Sequence, residues 1–274
     1  MGQAKLKLSA TAKLLAEFPH CAICGGTKSA STREHMPPKA LFDNSHRPDK
    51  LVCPACHDCN KGTSTSDLIA SMVSRWGVNE SDQSYADHSK LSTQIKRQAP
   101  EVVQEWLSMD DPSQQILARR HLERHGVPVP AEATMTTIGP LTIRQLNIFA
   151  HKTTVALHFE HFRKPLPVEG RVHAIWRSKE DFALGVPQEL IELLPGYATM
   201  TQGKWNLAEI FEYKFSTNMT EGLFGCFVRF RQGLFVLGFT VLDERTLRGP
   251  PVVDGDWISP STILDNPAHF AKKN

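Results

Sequence analysis

The sequence predicts an α+β chain in two parts. A small N-terminal module, gathered by clustered cysteines and extended by helices, precedes a C-terminal α+β domain whose antiparallel sheet packs on one long helix. Three observations predict it. Five of the six cysteines fall between positions 21 and 59. Residues 141–163 carry apolar side chains at helical spacing. Runs rich in Phe, Val and Leu then recur between 171 and 242. The boundaries read as 1–76, a linker and helical segment over 77–140, and 141–274.

Bulk properties agree. A chain of 274 residues is long for one compact core and short for three. A hydrophobic content of 41% and a charged content of 22% are those of a soluble globular protein. No run approaches the roughly 18–20 apolar residues of a membrane span. Lys5, Lys7 and Lys13 interrupt the leucines of the first 18 residues, so no secretory signal is expected. Leu6 stands where a myristoylation signal needs Ser or Thr. The expected location is cytoplasmic. A net charge of +2 announces no polyanion partner by itself, but residues 1–75 hold ten Lys/Arg against six Asp/Glu.

In chain order, 4–17 reads as a short amphipathic helix with Leu6, Leu8, Leu14 and Leu15. From Pro19 to Gly62 there is too little apolar material for a core, so this stretch needs a metal to fold. Leu51-Val52 is a strand candidate. Thr65 or Ser66 is placed to cap a helix to Trp76 that buries Leu68, Ile69, Met72 and Val73. The polar stretch 77–99 reads as linker or loop. Helices over 100–109 and 112–125 follow, with Pro112 at a first helical position and Gly126 at a C-terminal cap. Residues 127–140, opening Val-Pro-Val-Pro, read as extended and as the domain boundary. The 141–163 helix sets Leu146, Phe149, Ala150, Thr153, Leu157 and His161 along one side, and Pro165 and Pro167 stop it. Strands are expected over 171–177, 209–217, 223–231 and 233–242, with a short helix near 187–194 and a turn at Gln232-Gly233.

The chemistry concentrates in the first part. Cys21-Ala-Ile-Cys24 and Cys56-His-Asp-Cys59 are two CxxC knuckles separated by 31 residues. Four thiolates in such knuckles make a closed tetrahedral zinc site, structural because no ligand position stays open. Cys53-Pro-Ala-Cys56 also spells CxxC; Cys53 is read as a buried strand-end thiol, and His57 as a further candidate ligand.

Between the knuckles lies Arg33-Glu34-His35-Met36-Pro37-Pro38-Lys39, and Asn60-Lys61-Gly62 follows the second knuckle. CxxC, an acid followed by His and a proline turn, then CxxC-Asn resembles the zinc-bearing HNH endonucleases of the ββα-metal, treble-clef class. The resemblance covers about residues 19–76. It implies that His35 is the general base, that Glu34 and Asn60 hold a catalytic Mg²⁺ or Mn²⁺, and that Cys21, Cys24, Cys56 and Cys59 hold a structural Zn²⁺. Arg33, Lys39, His57 and Lys61 become candidates for substrate phosphate. The middle asparagine of the signature is replaced by Lys50, preceded by Asp49; Asp49 or Asn44 is left to brace the loop that carries the base.

The roles make physical sense. Imidazole, with an ordinary pKa near 6.5, can take a proton from water near neutrality. A carboxylate and a carboxamide oxygen suit a hard divalent cation and leave positions for water and phosphate. The expected activity is metal-dependent hydrolysis of phosphodiester bonds in DNA, with RNA the other polynucleotide open to this chemistry. The C-terminal domain would choose the substrate, a protein partner or a homodimeric state. The alternative is a catalytically inactive zinc-stapled module that binds nucleic acid or protein. His121, His125, His151, His158 and His161 lack an HExxH-type signature and read as core or solvated histidines. Lys152-Thr153-Thr154 reads as helix packing, since no glycine-rich turn precedes it.

Overall fold

The computed structural model describes residues 9–42, 47–48, 50–76, 82–108, 111–124, 126, 129, 136–182, 185–202, 205–246 and 257–265. Helix α1 is Ala10–Glu17; the Ser9 hydroxyl caps it by accepting from the Ala12 amide at 3.1 Å, and Leu14 is its buried residue. Strands β1 (Thr32–His35) and β2 (Val52–Ala55) form an antiparallel hairpin with Glu34 opposite Cys53 and His35 opposite Val52. Helices α2 (His57–Gly62) and α3 (Ser64–Val73) follow almost without a break. Helix α3 starts before the expected cap at 65 or 66, because Thr63 turns the chain and donates its hydroxyl to the Cys59 carbonyl at 2.9 Å.

The polar stretch expected to be linker is instead α4, Asp82–Gln98. Leu91 and Ile95, one turn apart, bury themselves against Met72 of α3, which is enough to hold an otherwise polar helix. Helices α5 (Pro100–Leu107) and α6 (Pro112–Arg124) each open on proline, whose missing N–H costs nothing at that position. Most of 127–135 lies outside the described residues, and with it most of the expected boundary.

Helix α7, Pro140–Phe162, is the axis of the molecule. Its first amides are capped from α5: Glu105 accepts from the Leu141 and Thr142 amides at 2.9 Å each. The sequence marks one apolar side, but every residue from Leu146 to Phe159 is buried. The reason is packing on two fronts, the hairpin and α3 on one and the sheet on the other. Several of its polar atoms find internal partners, as in His151 Nδ1 with the Asn147 carbonyl at 2.8 Å and His158 Nδ1 with Thr240 Oγ1 at 2.7 Å.

The C-terminal elements are β3 (Arg171–Ser178), α8 (Gln188–Leu193), β4 (Gly196–Thr199), the short pair β5 (Thr201–Gln202) and β6 (Trp205–Asn206), β7 (Phe211–Asn218), β8 (Leu223–Phe230) and β9 (Leu234–Val241). The antiparallel sheet runs β3-β9-β8-β7-β4. Its edge strand β4 escapes sequence reading because Gly-Tyr-Ala-Thr is short and weakly apolar. In the β8–β9 turn the left-handed residue is Arg231, at φ 50°, not Gly233. Gly233 is needed for close approach: a Cβ there would lie 2.6 Å from the Val73 carbonyl oxygen at the end of α3. One continuous apolar core runs from Ile23 and Ile69 through Phe149 to Phe211 and Phe230. Among the described residues no helix is long and apolar enough to cross a membrane.

Burial holds His151 and His158 down at about 4 in the folded chain, against an ordinary histidine value of 6.5. Both are neutral when folded and take up protons on unfolding below 6.5, so the stability they contribute is complete above 6.5 and falls as pH drops toward 4. The urea midpoint should decline across that window, and the decline should shrink in a His151→Gln/His158→Gln variant. An equally steep decline in the variant assigns the effect elsewhere.

Candidate metal centre and the hairpin site

Cys21, Cys24, Cys56 and Cys59 are buried, and their sulfurs all lie within 4.8 Å of one another. Tetrahedral Zn–S bonds of about 2.3 Å place sulfurs roughly 3.8 Å apart, so four cysteines so grouped could hold a structural zinc. The local backbone is made for it. The Cys59 amide donates to Cys56 Sγ at 3.4 Å. Gly25 turns the first knuckle at φ +67°, and a Cβ on it would meet Pro260 at 2.8 Å and the Leu166 carbonyl oxygen at 2.9 Å. Crowding drives the thiols apart in acidity: hydrogen bonds from Cys21 and Cys59 pull Cys24 far down, while Cys21 and Cys24 push Cys59 up. A shared cation relieves that conflict. Cys53, by contrast, lies outside the group, and burial pushes its thiol up; it is a core residue at the strand. Cys226 is likewise pushed up, to about 12, by burial.

Strand alternation divides the hairpin's side chains. Thr32 and Glu34 share the inner face with Cys53 and Ala55; Arg33 and His35 share the outer face with Pro54 and Val52. The inner face meets α2, where Asn60 Nδ2 donates to Thr32 Oγ1 at 3.0 Å. Glu34 and Asn60 are thus gathered at one face, whereas His35, half-buried, is carried on the other. Lys39 is exposed in the single 3₁₀ turn after the strand, and His57 and Lys61 are exposed on one side of α2. Arg33 is half-buried on β1.

Two partnerships of this site are not foreseeable from local sequence. First, Lys152 of α7 is fully buried and donates to Glu34 Oε1 at 3.0 Å and to Asp67 of α3 at 2.7 and 2.8 Å. Burial alone would strip this ammonium, but the two carboxylates outweigh that and raise its pKa above the ordinary lysine value. Burial pushes Asp67 up to about 7, with Lys152 pulling down and Glu34 adding to the rise. The second oxygen of Glu34 and the carboxamide oxygen of Asn60 take part in neither bond. The only signal in the sequence is a lysine inside an apolar helix, which demands an acidic partner without naming it.

Second, Arg47 braces the loop after His35. Its guanidinium donates to the carbonyls of Pro37 (2.7 Å), Met36 (3.1 Å), Lys50 (2.7 Å) and Leu51 (3.0 Å), and to that of Pro48. Asp49 and Asn44, the residues expected to brace this loop, lie outside the described residues. Arg75 and Arg231 secure the same loop farther on through the Leu41 carbonyl, at 3.1 and 2.8 Å.

No protein-family model matches the chain, and neither does any curated protein or solved structure.

Replacing Lys152 by Met leaves two buried carboxylates without their cation and should cost about 3–5 kcal/mol in urea unfolding. Adding Glu34→Gln and Asp67→Leu to Lys152→Met should recover most of that loss, because no uncompensated charge remains. A single variant as stable as the parent would contradict the ion triad.

Proposed function

We propose that the chain is a metal-dependent endonuclease of the HNH type, hydrolysing phosphodiester bonds in DNA. The observation that carries this reading is the union of a four-sulfur cluster with a β-hairpin that bears Glu34 and His35 between the two cysteine pairs and a helix that bears Asn60 directly after the second. Zinc at the four cysteines would act structurally, fixing the hairpin against α2. A divalent ion held by Glu34 and Asn60 would supply a Lewis acid for the phosphate and charge for the leaving oxygen.

The chain's own groups do the rest. His35 takes the proton of the attacking water, a role imidazoles commonly fill near neutral pH. It stands beside Glu34 at the end of β1, and β1 is paired on one side only in its sheet. A phosphodiester lying along the other edge of such a strand is within reach of side chains from both faces. The Arg47 brace keeps the following loop from drifting, and with it the imidazole. Arg33, Lys39, His57 and Lys61 would bind phosphate on either side of the cut.

A second reading has one observation in its favour. Lys152 already neutralises part of Glu34, as expected of a zinc-stapled module that binds nucleic acid or protein without cutting.

Supercoiled plasmid should be nicked with Mg²⁺ or Mn²⁺ and left intact with EDTA, and His35→Ala should slow nicking by about 100-fold or more. If His35→Ala cuts as fast as the parent, the base assignment is wrong; if the parent never cuts but shifts DNA in a gel, the binding-module reading stands instead. Cys21→Ser and Cys56→Ser should each lose the bound zinc equivalent and the order of the N-terminal region, since zinc-ligand free energy in small folds is on the order of 10 kcal/mol. Stoichiometric zinc in a folded Cys21→Ser/Cys56→Ser protein would contradict the structural site.

A further inference from the structure

On the endonuclease reading, on which this inference rests, Glu34 is a ligand of the catalytic ion. We propose that Asp67 sets the charge Glu34 can offer that ion, by matching the buried ammonium of Lys152. Neither the cysteine spacing nor the Glu-His motif gives Asp67 a role. The difficulty that Asp67 resolves is electrostatic. Lys152 Nζ lies 3.0 Å from Glu34 Oε1. A carboxylate paired one to one with an ammonium has little charge left for a second cation. Water does little to screen this pair, because the Lys152 side chain is fully buried and that of Glu34 is 8% exposed. By itself the pair would be neutral and a poor site for Mg²⁺ or Mn²⁺, which favour anionic oxygen ligands.

Asp67 changes the balance. Both of its oxygens accept from the same ammonium, at 2.7 and 2.8 Å, each closer than the Glu34 contact. An ammonium has three protons, and three oxygens meet it here: two from Asp67 and one from Glu34. Asp67 is thus the nearer and more complete counter-ion, and Glu34 contributes a single oxygen. Two carboxylates face one ammonium, so the group keeps one negative charge. A surplus charge in so buried a place is costly by itself, and a cation at Glu34 cancels it.

Asp67 is fixed without help from the hairpin. Its amide donates to the Thr63 carbonyl at 3.0 Å within the first turn of α3. Its neighbour Ser66 donates its hydroxyl to Gln145 Oε1 of α7 at 2.6 Å. The helix that carries Lys152 and the helix that carries its counter-ion are therefore joined one residue from Asp67. Asp67 acts on the ion through Lys152 and Glu34, so it is a positioning residue and not a ligand.

The test measures metal binding without cutting. Mn²⁺ is titrated into the zinc-loaded full chain with neither DNA nor chelator present, and unbound Mn²⁺ is read from its EPR signal. Burial pushes Asp67 up to about 7, so the titration is run at about pH 8, where its carboxylate is ionised. Asp67→Asn should weaken Mn²⁺ binding about tenfold or more. Asp67→Asn/Lys152→Met removes both charges together and should bind within about threefold of the parent, a recovery that a purely structural role for Asp67 does not produce. Glu101→Gln, an exposed acid of α5, reports the loss of a negative charge outside the ion triad and should match the parent. Parent-like affinity in Asp67→Asn, with binding lost in Glu34→Gln, overturns the charge assignment and leaves Glu34 standing as a ligand. Undiminished binding in Glu34→Gln, or no binding by the parent, removes the reading of Glu34 and this inference with it. Where Asp67→Asn fails to fold, the double variant decides: affinity near the parent's upholds the assignment, and affinity about tenfold weaker overturns it.

Discussion

A single ammonium group, that of Lys152, reaches two carboxylates on two other elements from the middle of an enclosed helix. Each of those carboxylates would be costly to bury alone, and so would the lysine. Together they are tolerated, and the result ties β1 and α3 to α7 at one point. The hairpin's inner face, the cysteine cluster beside it and the sheet on the far side of α7 all take their relative positions from a helix that can be sheathed only while this charge is matched. Buried ion networks add specificity of arrangement more readily than stability, and here the specified arrangement includes Glu34.

Much of the fold is legible in the sequence because its signals are local. The two CxxC knuckles mark the sulfur cluster, and β3, β7, β8 and β9 fall within about two residues of the runs rich in Val, Phe and Leu. What escapes is nonlocal. Helix α4 looks like linker because, among its described side chains, Leu91 and Ile95 anchor it, and their partner Met72 is on another helix. Strand β4 exists because Tyr197 and its neighbours find β7, and Tyr197 donates to Glu212 at 2.8 Å.

The candidate site divides along the same line. Which residues belong near the cluster is readable from motif spacing; how they face is not. Alternation along β1 turns Glu34 inward and His35 outward, and only the register with β2 reveals it. Arg47 does not stand out in the sequence, since the five acceptors described for it are backbone carbonyls, which every residue carries. The proposed chemistry accordingly depends on long-range supports, a guanidinium for the loop and an ammonium for the acid, as much as on the three residues a motif would name.

The turn between β8 and β9 also has a bearing on modularity. Its Gly233 amide donates to the Ser74 carbonyl at 3.1 Å, and Arg231 holds the Leu41 carbonyl. These two carbonyls close α3 and the loop beyond His35, so the final third of the polypeptide finishes what the first quarter begins. A cassette excised at residue 76 would leave the Ser74 oxygen to water and the Leu41 oxygen to Arg75 alone. Grafting the cysteine-clipped segment onto a foreign scaffold would therefore require transplanting a fingertip of the distant sheet with it.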